Sequence, residues 1–250
     1  MPDFDTTGIR IVIPVRDVCT EYDDECLKFT LRSIEMYGTG QGEKVVILGK
    51  RRDWFSDKIV VCNVIEKGTN IYARSNQKVV EFCKINEPFI LMNDDMILTS
   101  TYAFNYMKYY VDGNLRDRLI SIEDKRYLAM VMNTVAFMQI RMSDPNFLTH
   151  TPFPVMYPEE VVKVMTLRNG RVMGVSFRQV YGSKFAVKSV KNNEWQARII
   201  NQPDLKIRSA KDIPGVLTLK PVISLNPHFY TTELKEMLNK VYCKKSIYEK

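Results

Sequence analysis

The sequence predicts an α/β protein with a mixed, mostly parallel sheet flanked by helices and folded as a single compact domain. Three observations predict it: short β-branched runs spaced along the first hundred residues, helical-period segments between them, and an acidic pair at the end of one run. Strand, helix, strand, strand, helix, strand is the grammar of βαβ units, whose crossovers place helices on the faces of a parallel sheet.

Ile9 to Val15 (IRIVIPV) is a nearly continuous apolar run containing Pro14, the pattern of a strand buried on both faces. From Asp23 to Tyr37, Leu27, Leu31 and Ile34 recur at helical spacing, Asp23 or Asp24 can cap the start, and Gly38 and Gly40 stop the run. Lys44 to Leu48 and Ile59 to Val61 are two further strands, separated by the charged and aromatic KRRDWFSD. Ile71 to Lys84 reads as a second helix, and Pro88 opens a buried strand, Phe89 to Met92. That strand stops at Asn93-Asp94-Asp95, after which Met96, Ile97 and Leu98 resume an apolar run.

Residues 101 to 112 are aromatic-rich and expected to be helical, whereas Tyr127 to Ile140 is so uniformly apolar that it fits a buried helix or a strand. Pro152, Pro154 and Pro158 make THTPFPVMYP a rigid loop, and PEEVVKVM then begins a helix with Pro158 in its first turn and two glutamates at its positive end. In the tail, Leu234, Met237, Leu238 and Val241 fall at helical spacing.

The composition is globular, 45% hydrophobic and 26% charged, which excludes a disordered chain or a fibrous rod. No apolar run approaches the roughly 18 to 20 residues of a bilayer span, and MPDFDTTGIR has neither the basic nor the apolar part of a signal peptide. A cytoplasmic protein is expected. Five cysteines without a CxxC pair read as reduced structural thiols.

The formal charge of +7 is unevenly spread. Residues 1 to 150 carry 19 basic and 21 acidic side chains, net −2, and residues 151 to 250 carry 17 and 8, net +9. Arg168 to Lys211 holds ten basic residues and two acidic ones, interleaved with Phe177, Tyr181, Phe185 and Trp195. Cations that grip phosphates and planar side chains that stack bases make a nucleic-acid footprint, with Arg178, Lys184, Lys188 and Lys191 as acceptor-binding candidates. Phe177 and Phe185 suit a core equally well. Lys184 and Lys188 share a face if the segment is helical.

Adjacent ionised carboxylates after a buried strand repel each other, and a divalent cation removes that cost. In open α/β sheets ligands bind beyond the carboxyl ends of the strands, where Asp94, Asp95, Arg16 and Asp17 all fall.

The FILMNDDMIL segment, in a chain opening with IRIVIPVRD, resembles the DxD-type motif of GT-A glycosyltransferases in its xDD form, with Asn93 first. ECLKFTLRSIEMYG, KVVILGKRRDWFSDKIVV and FILMNDDMIL are similar to a conserved block of the Stealth family of capsular-polysaccharide sugar-phosphate transferases, and THTPFPV to a later His-containing block. Where that family has a Trp-Val-Asp-Gly loop, this chain has PVRDVCT.

The resemblance implies a GT-A-like, Rossmann-like fold. Residues 1–100 would form the half that binds a nucleotide-sugar, a UDP-sugar, and its Mn²⁺ or Mg²⁺, and 101–250 the acceptor-binding half with the basic segment 168–211. It implies Asp95 as direct metal ligand, Asp94 against metal-bound water or the sugar, and Pro14, Arg16, Asp17 and Asn93 around the nucleotide. Arg74, Ser75 and Asn76 fall where such enzymes place donor-binding residues, although Arg74 can equally be a surface helix residue. His228 is the candidate to complete the metal shell.

His150 suits a general base by its ordinary pKa, with Glu123, Asp124 and Asp144 as alternatives. Both histidines can instead be hydrogen-bonded structurally within their proline loops. The expected activity is metal-dependent transfer of a hexose or pentose to an anionic acceptor, DNA bearing hydroxymethylcytosine in a phage setting, with the target base exposed by flipping. A Stealth-like transferase acting on surface polysaccharide and an inactive nucleic-acid-binding module are the alternatives.

Overall fold

The computed structural model describes residues 9–38, 45–64, 70–99, 109–111, 119, 122, 124–141, 155–167, 169, 171–185, 189–191, 196–198, 222–225 and 230–250. In chain order its elements are β1 (Arg10–Pro14), α1 (Glu21–Tyr37), β2 (Val45–Leu48), β3 (Val60–Cys62), α2 (Ile71–Phe82), β4 (Phe89–Leu91), β5 (Met96–Leu98) and β6 (Tyr109–Val111). There follow α3 (Lys125–Arg141), β7 (Val155–Met156), α4 (Pro158–Met165), α5 (Phe177–Phe185), β8 (Ser189–Lys191), β9 (Gln196–Arg198), β10 (Val222–Ser224) and α6 (Thr232–Val241). They group into two compact units, one of Met1–Asn63, Ile90–Met107 and Glu194–Lys250, the other of Val64–Phe89 and Lys108–Asn193.

In the first unit the strands run in the order β3-β2-β1-β4, with β1 parallel to β2 and β2 parallel to β3. Ile11, Val12, Ile13 and all of Val45–Leu48 are buried, which is why these strands read as unbroken apolar runs. Each such side chain stabilises the fold by roughly 1.5–3 kcal/mol. A second sheet, β5-β10-β9, is mixed: β10 is antiparallel to β5 and parallel to β9. Cys26 and Phe29 of α1 pack with Ile97, Ile223, Leu234, Leu238 and Tyr242 in one apolar cluster beneath that sheet.

Helix α1 starts two residues before the expected start, because Thr20 and not an aspartate is its cap. Thr20 Oγ1 accepts from the Asp23 N–H at 3.2 Å and the Asp23 carboxylate accepts from the Thr20 N–H at 2.9 Å, a reciprocal capping box. Gly38 ends the helix as expected. A Cβ there would meet Ile34 O at 2.2 Å, so glycine is required for close approach. Strand β3 is displaced by one residue from Ile59–Val61, and β2, β4 and β5 fall on the expected runs.

In the second unit, Asn70 caps α2 by accepting from the Tyr72 and Ala73 N–H groups, both at 3.0 Å. A Cβ on Gly174 would lie 2.7 Å from the Asn70 amide, so position 174 passes this cap too closely for a side chain. Thr134, buried on α3, accepts from the Ser176 N–H at 2.8 Å and ties α3 to the start of α5.

The 127–140 segment is a helix, extended by the basic Lys125, Arg126 and Arg141 at its ends. One expectation is corrected: the part of 101–112 that the structure describes, Tyr109–Val111, is a strand parallel to β8 and not helix. Aromatic and β-branched residues favour a pleated surface, and that preference prevails here. Residues 101–108 lie outside the described residues. In α4, Pro158 sits in the first turn with Glu159 and Glu160, as expected. No helix among the described residues is long and apolar enough to cross a membrane.

Candidate active site

The acidic turn follows the carboxyl end of β4 and leads directly into β5. Its shape is fixed from two sides within the first unit. Thr30 of α1 donates its hydroxyl to Asp94 O at 2.8 Å, while the Leu225 N–H donates to Asp95 O at 2.9 Å. Ser224 of β10 also donates its hydroxyl to Asp95 Oδ2 at 3.0 Å, which orients that carboxylate. Within the turn the Met96 N–H donates to Asn93 O at 3.4 Å.

Burial pushes the Asp94 carboxyl up to about 7, and the negative charges of Asp95 and Asp23 push in the same direction; Arg16 and a backbone hydrogen bond oppose them. Crowded negative charge at a strand end is the electrostatic condition that a bound cation relieves. The donor set suits a hard divalent ion that takes one or two carboxylates and draws its remaining ligands from water and phosphate oxygens. Among the described residues no group of three or more His, Cys, Asp or Glu side chains could hold a metal.

Beside the turn runs the loop after β1. The Val15 N–H donates to Leu48 O at 3.0 Å, and Pro14 ends the strand. Arg16 is then exposed, Asp17 is half-buried, and Val18 is 86% exposed. Arg52, from the β2–β3 connection, reaches into this loop: Nη2 donates to Arg16 O at 2.5 Å and to Cys19 Sγ, and Nη1 donates to Asp17 O at 3.4 Å. Burial pushes the Cys19 thiol up to about 11, against the lowering effect of Arg52. Sequence reasoning missed Arg52. The available signal was an arginine pair in the connection that follows the buried strand β2.

In the second unit, Arg74 occupies the first turn of α2, half-buried, with its N–H donating to Asn70 O at 3.0 Å. Asn76 is buried, and its amide donates to Met173 O at 2.7 Å and to Val175 O at 2.9 Å, so its two N–H donors serve the fold. Asp124 is exposed and accepts from the Arg126 and Tyr127 N–H groups at 2.7 and 3.1 Å, capping α3. Arg178 is half-buried on α5, and Lys184 is exposed in the last turn of that helix. Lys191 lies in β8, and Phe177 is buried as a core residue. His150, His228, Glu123, Asp144 and Lys188 lie outside the described residues.

No protein-family model matches the chain, and no characterised protein matches it by sequence. Solved structures do. A galactosyltransferase, LgtC, in complex with donor and acceptor sugar analogues is similar with a TM-score of 0.53 and 11% identity, covering 93% of this chain and 96% of that one. The bifunctional glycosyltransferase WbbM in its apo form covers 98% of this chain and 51% of its own, at a TM-score of 0.49 and 8% identity. A glycosyltransferase involved in glycosylating the major capsid of PBCV-1 gives 0.41 and 9%, covering 92% of this chain and 98% of that one. The likeness to LgtC establishes the fold class: a mixed, mostly parallel sheet with flanking helices, of the GT-A kind.

Proposed function

We propose that this chain is a metal-dependent glycosyltransferase that moves a sugar from a nucleotide-sugar, a UDP-sugar, to an anionic acceptor, DNA carrying hydroxymethylated cytosine. The observation that carries the reading is the Asp94-Asp95 turn at the carboxyl end of β4, where burial first and the neighbouring Asp95 charge second raise the Asp94 carboxyl to about 7. The general tendency of open α/β sheets to bind ligands beyond the carboxyl ends of their strands supports a nucleotide-sugar at that turn.

Asp95 would hold Mn²⁺ or Mg²⁺, with Asp94 beside it and Ser224 orienting the Asp95 carboxylate. When bound, such an ion neutralises the charge that develops on the departing diphosphate. Arg16 and Asp17 would lie against the nucleotide, the guanidinium being suited to a diphosphate by its planar fork. His150, or Asp124, would take the proton of the acceptor hydroxyl, and His228 would add a ligand to the metal. Residues 101–250 would dock the acceptor, whose phosphates suit the +9 excess of residues 151–250 and the cations Arg178, Lys184, Lys188 and Lys191.

The test incubates the protein with a panel of nucleotide-sugars, MnCl₂ and hydroxymethylcytosine DNA, followed by mass analysis of digested nucleosides. A hexose or pentose mass increment that disappears in Asp95→Ala is the expected result. Metal-dependent donor hydrolysis without a DNA product would redirect the acceptor to a polysaccharide. No donor hydrolysis with any nucleotide-sugar would overturn the enzyme reading and leave a binding module.

A further inference from the structure

We infer that Arg52 is a positioning residue for donor binding: its guanidinium fixes the Arg16–Cys19 loop and thereby the backbone from which the Arg16 side chain leaves. The inference rests on the donor-site reading above and extends it to a residue outside the acidic motif.

Two neighbouring arginines make the argument by contrast. Arg51 is 45% exposed, and its Nη2 serves its own segment, donating to Ser56 O at 2.9 Å, Phe55 O at 3.5 Å and Asp57 Oδ1 at 3.1 Å. Arg52 is 12% exposed and turns away from that segment. Its donors go to the Arg16 and Asp17 carbonyls and to Cys19 Sγ, more than thirty residues earlier, and its Nε lies 3.4 Å from Asp24 Oδ1 in the first turn of α1. Cys19 Sγ closes the loop on itself by donating to Arg16 O at 3.0 Å.

The geometry has a directional consequence. Peptide units are planar, and no cis bond occurs among the described residues, so aiming the Arg16 and Asp17 carbonyls at Arg52 also sets the directions of the Asp17 and Val18 N–H groups. The Arg16 side chain leaves from the same fixed backbone, and it is the cation whose charge acts on the Asp94 carboxyl. A lysine at position 52 would keep the charge but not the fork, because one ammonium cannot address acceptors spread over three residues. The protein thus spends a nearly buried arginine on main-chain atoms of a loop whose tip, Val18, is solvent-exposed.

The experiment compares Arg52→Lys with Arg51→Lys in the full chain through three readouts: thermal unfolding, the rate of maleimide labelling at Cys19 followed by peptide mass mapping, and the Kd for uridine diphosphate with MnCl₂. For Arg52→Lys, Cys19 labelling is expected to accelerate and nucleotide affinity to fall by at least about tenfold, the scale on which a lost supporting contact acts. Arg51→Lys is expected to leave both unchanged. Should Arg52→Lys lower the unfolding temperature severely, Arg52→Gln supplies a second variant read against the same control.

Unchanged Cys19 labelling in both Arg52 variants overturns the loop-fixing role. Accelerated labelling with unchanged nucleotide affinity overturns the link to the donor, and equal losses in Arg51→Lys reduce the effect to general damage of the connection. If the unsubstituted protein binds none of the four common nucleoside diphosphates, the donor-site reading itself fails and the donor part of this inference falls with it, while the labelling result still decides the loop-fixing part.

Discussion

Glu249 accepts two hydrogen bonds from Arg32, 2.8 Å from Nε and 2.7 Å from Nη2, and so binds the segment after α6 to the outer turns of α1. The fork is completed by Arg32 Nη1 donating to Tyr242 O at 3.1 Å, and Glu249 Oε1 also accepts from the Ser246 N–H and hydroxyl, both at 3.0 Å. The pair is 14% and 4% exposed, which places it among buried ion pairs. Removing one member of such a pair strands the other charge. Arg32→Ala is expected to destabilise the first unit by about 3–5 kcal/mol, measured by urea unfolding.

The same pair sets a pH dependence. Burial pushes the Glu249 carboxyl up, but the Arg32 hydrogen bonds and charge and the Ser246 bonds more than reverse it, leaving it below the ordinary carboxylate range. A carboxyl held low when folded contributes stability above its unfolded pKa of about 4.3 and loses it as pH falls through the folded value. The urea midpoint of the unsubstituted protein should therefore drop more steeply between pH 5 and pH 3 than that of Glu249→Gln. Parallel curves would sink the assignment.

Asp94 has the opposite sign. Its carboxyl, raised to about 7, favours the folded state most below the ordinary carboxylate pKa and loses that contribution as pH rises towards 7. A cation bound at the turn must displace the proton, so the Mn²⁺ affinity seen by calorimetry should strengthen between pH 6 and pH 8. Asp95→Ala should abolish that binding. Ser224→Ala, which frees Asp95 Oδ2 from its 3.0 Å hydrogen bond, should weaken it without abolishing it.

Asn76 and Gly174 test the second unit. Asn76→Leu removes both donors to Met173 O and Val175 O and is expected to cost about 1–3 kcal/mol, the usual penalty for stranding buried polar groups. Gly174→Ala drives a methyl against the Asn70 amide and should loosen the start of α2. Hydrogen exchange at Tyr72 and Ala73, whose N–H groups Asn70 accepts, reads this directly, and unchanged protection would refute it.

Much of the first unit was legible because burial on both faces leaves an unmistakable mark: IRIVIPV, KVVIL and FILM all became strands where their apolar runs lie. The acidic turn was legible for the same reason, as an abrupt change from FILM to NDD. Contacts between distant positions left no such mark. Nothing in the local pattern joins Arg52 to Arg16, or Asn76 to Met173, and a side chain that serves main-chain carbonyls needs no complementary residue type for a reader to find. Tyr109–Val111 escaped because the composition of NYMKYYV fits helix and strand alike until a partner strand decides.

The acidic turn is held by residues far from it in sequence: Thr30 lies 64 positions from Asp94 and Ser224 lies 129 positions from Asp95. Its order is therefore expected to come late in folding, since closing loops over such distances is slower than forming the local helices. During synthesis from the N-terminus the α1 clamp emerges well before the turn and the β10 clamp well after it, so a nascent chain passes through an interval with both aspartates exposed and only one of their supports in place.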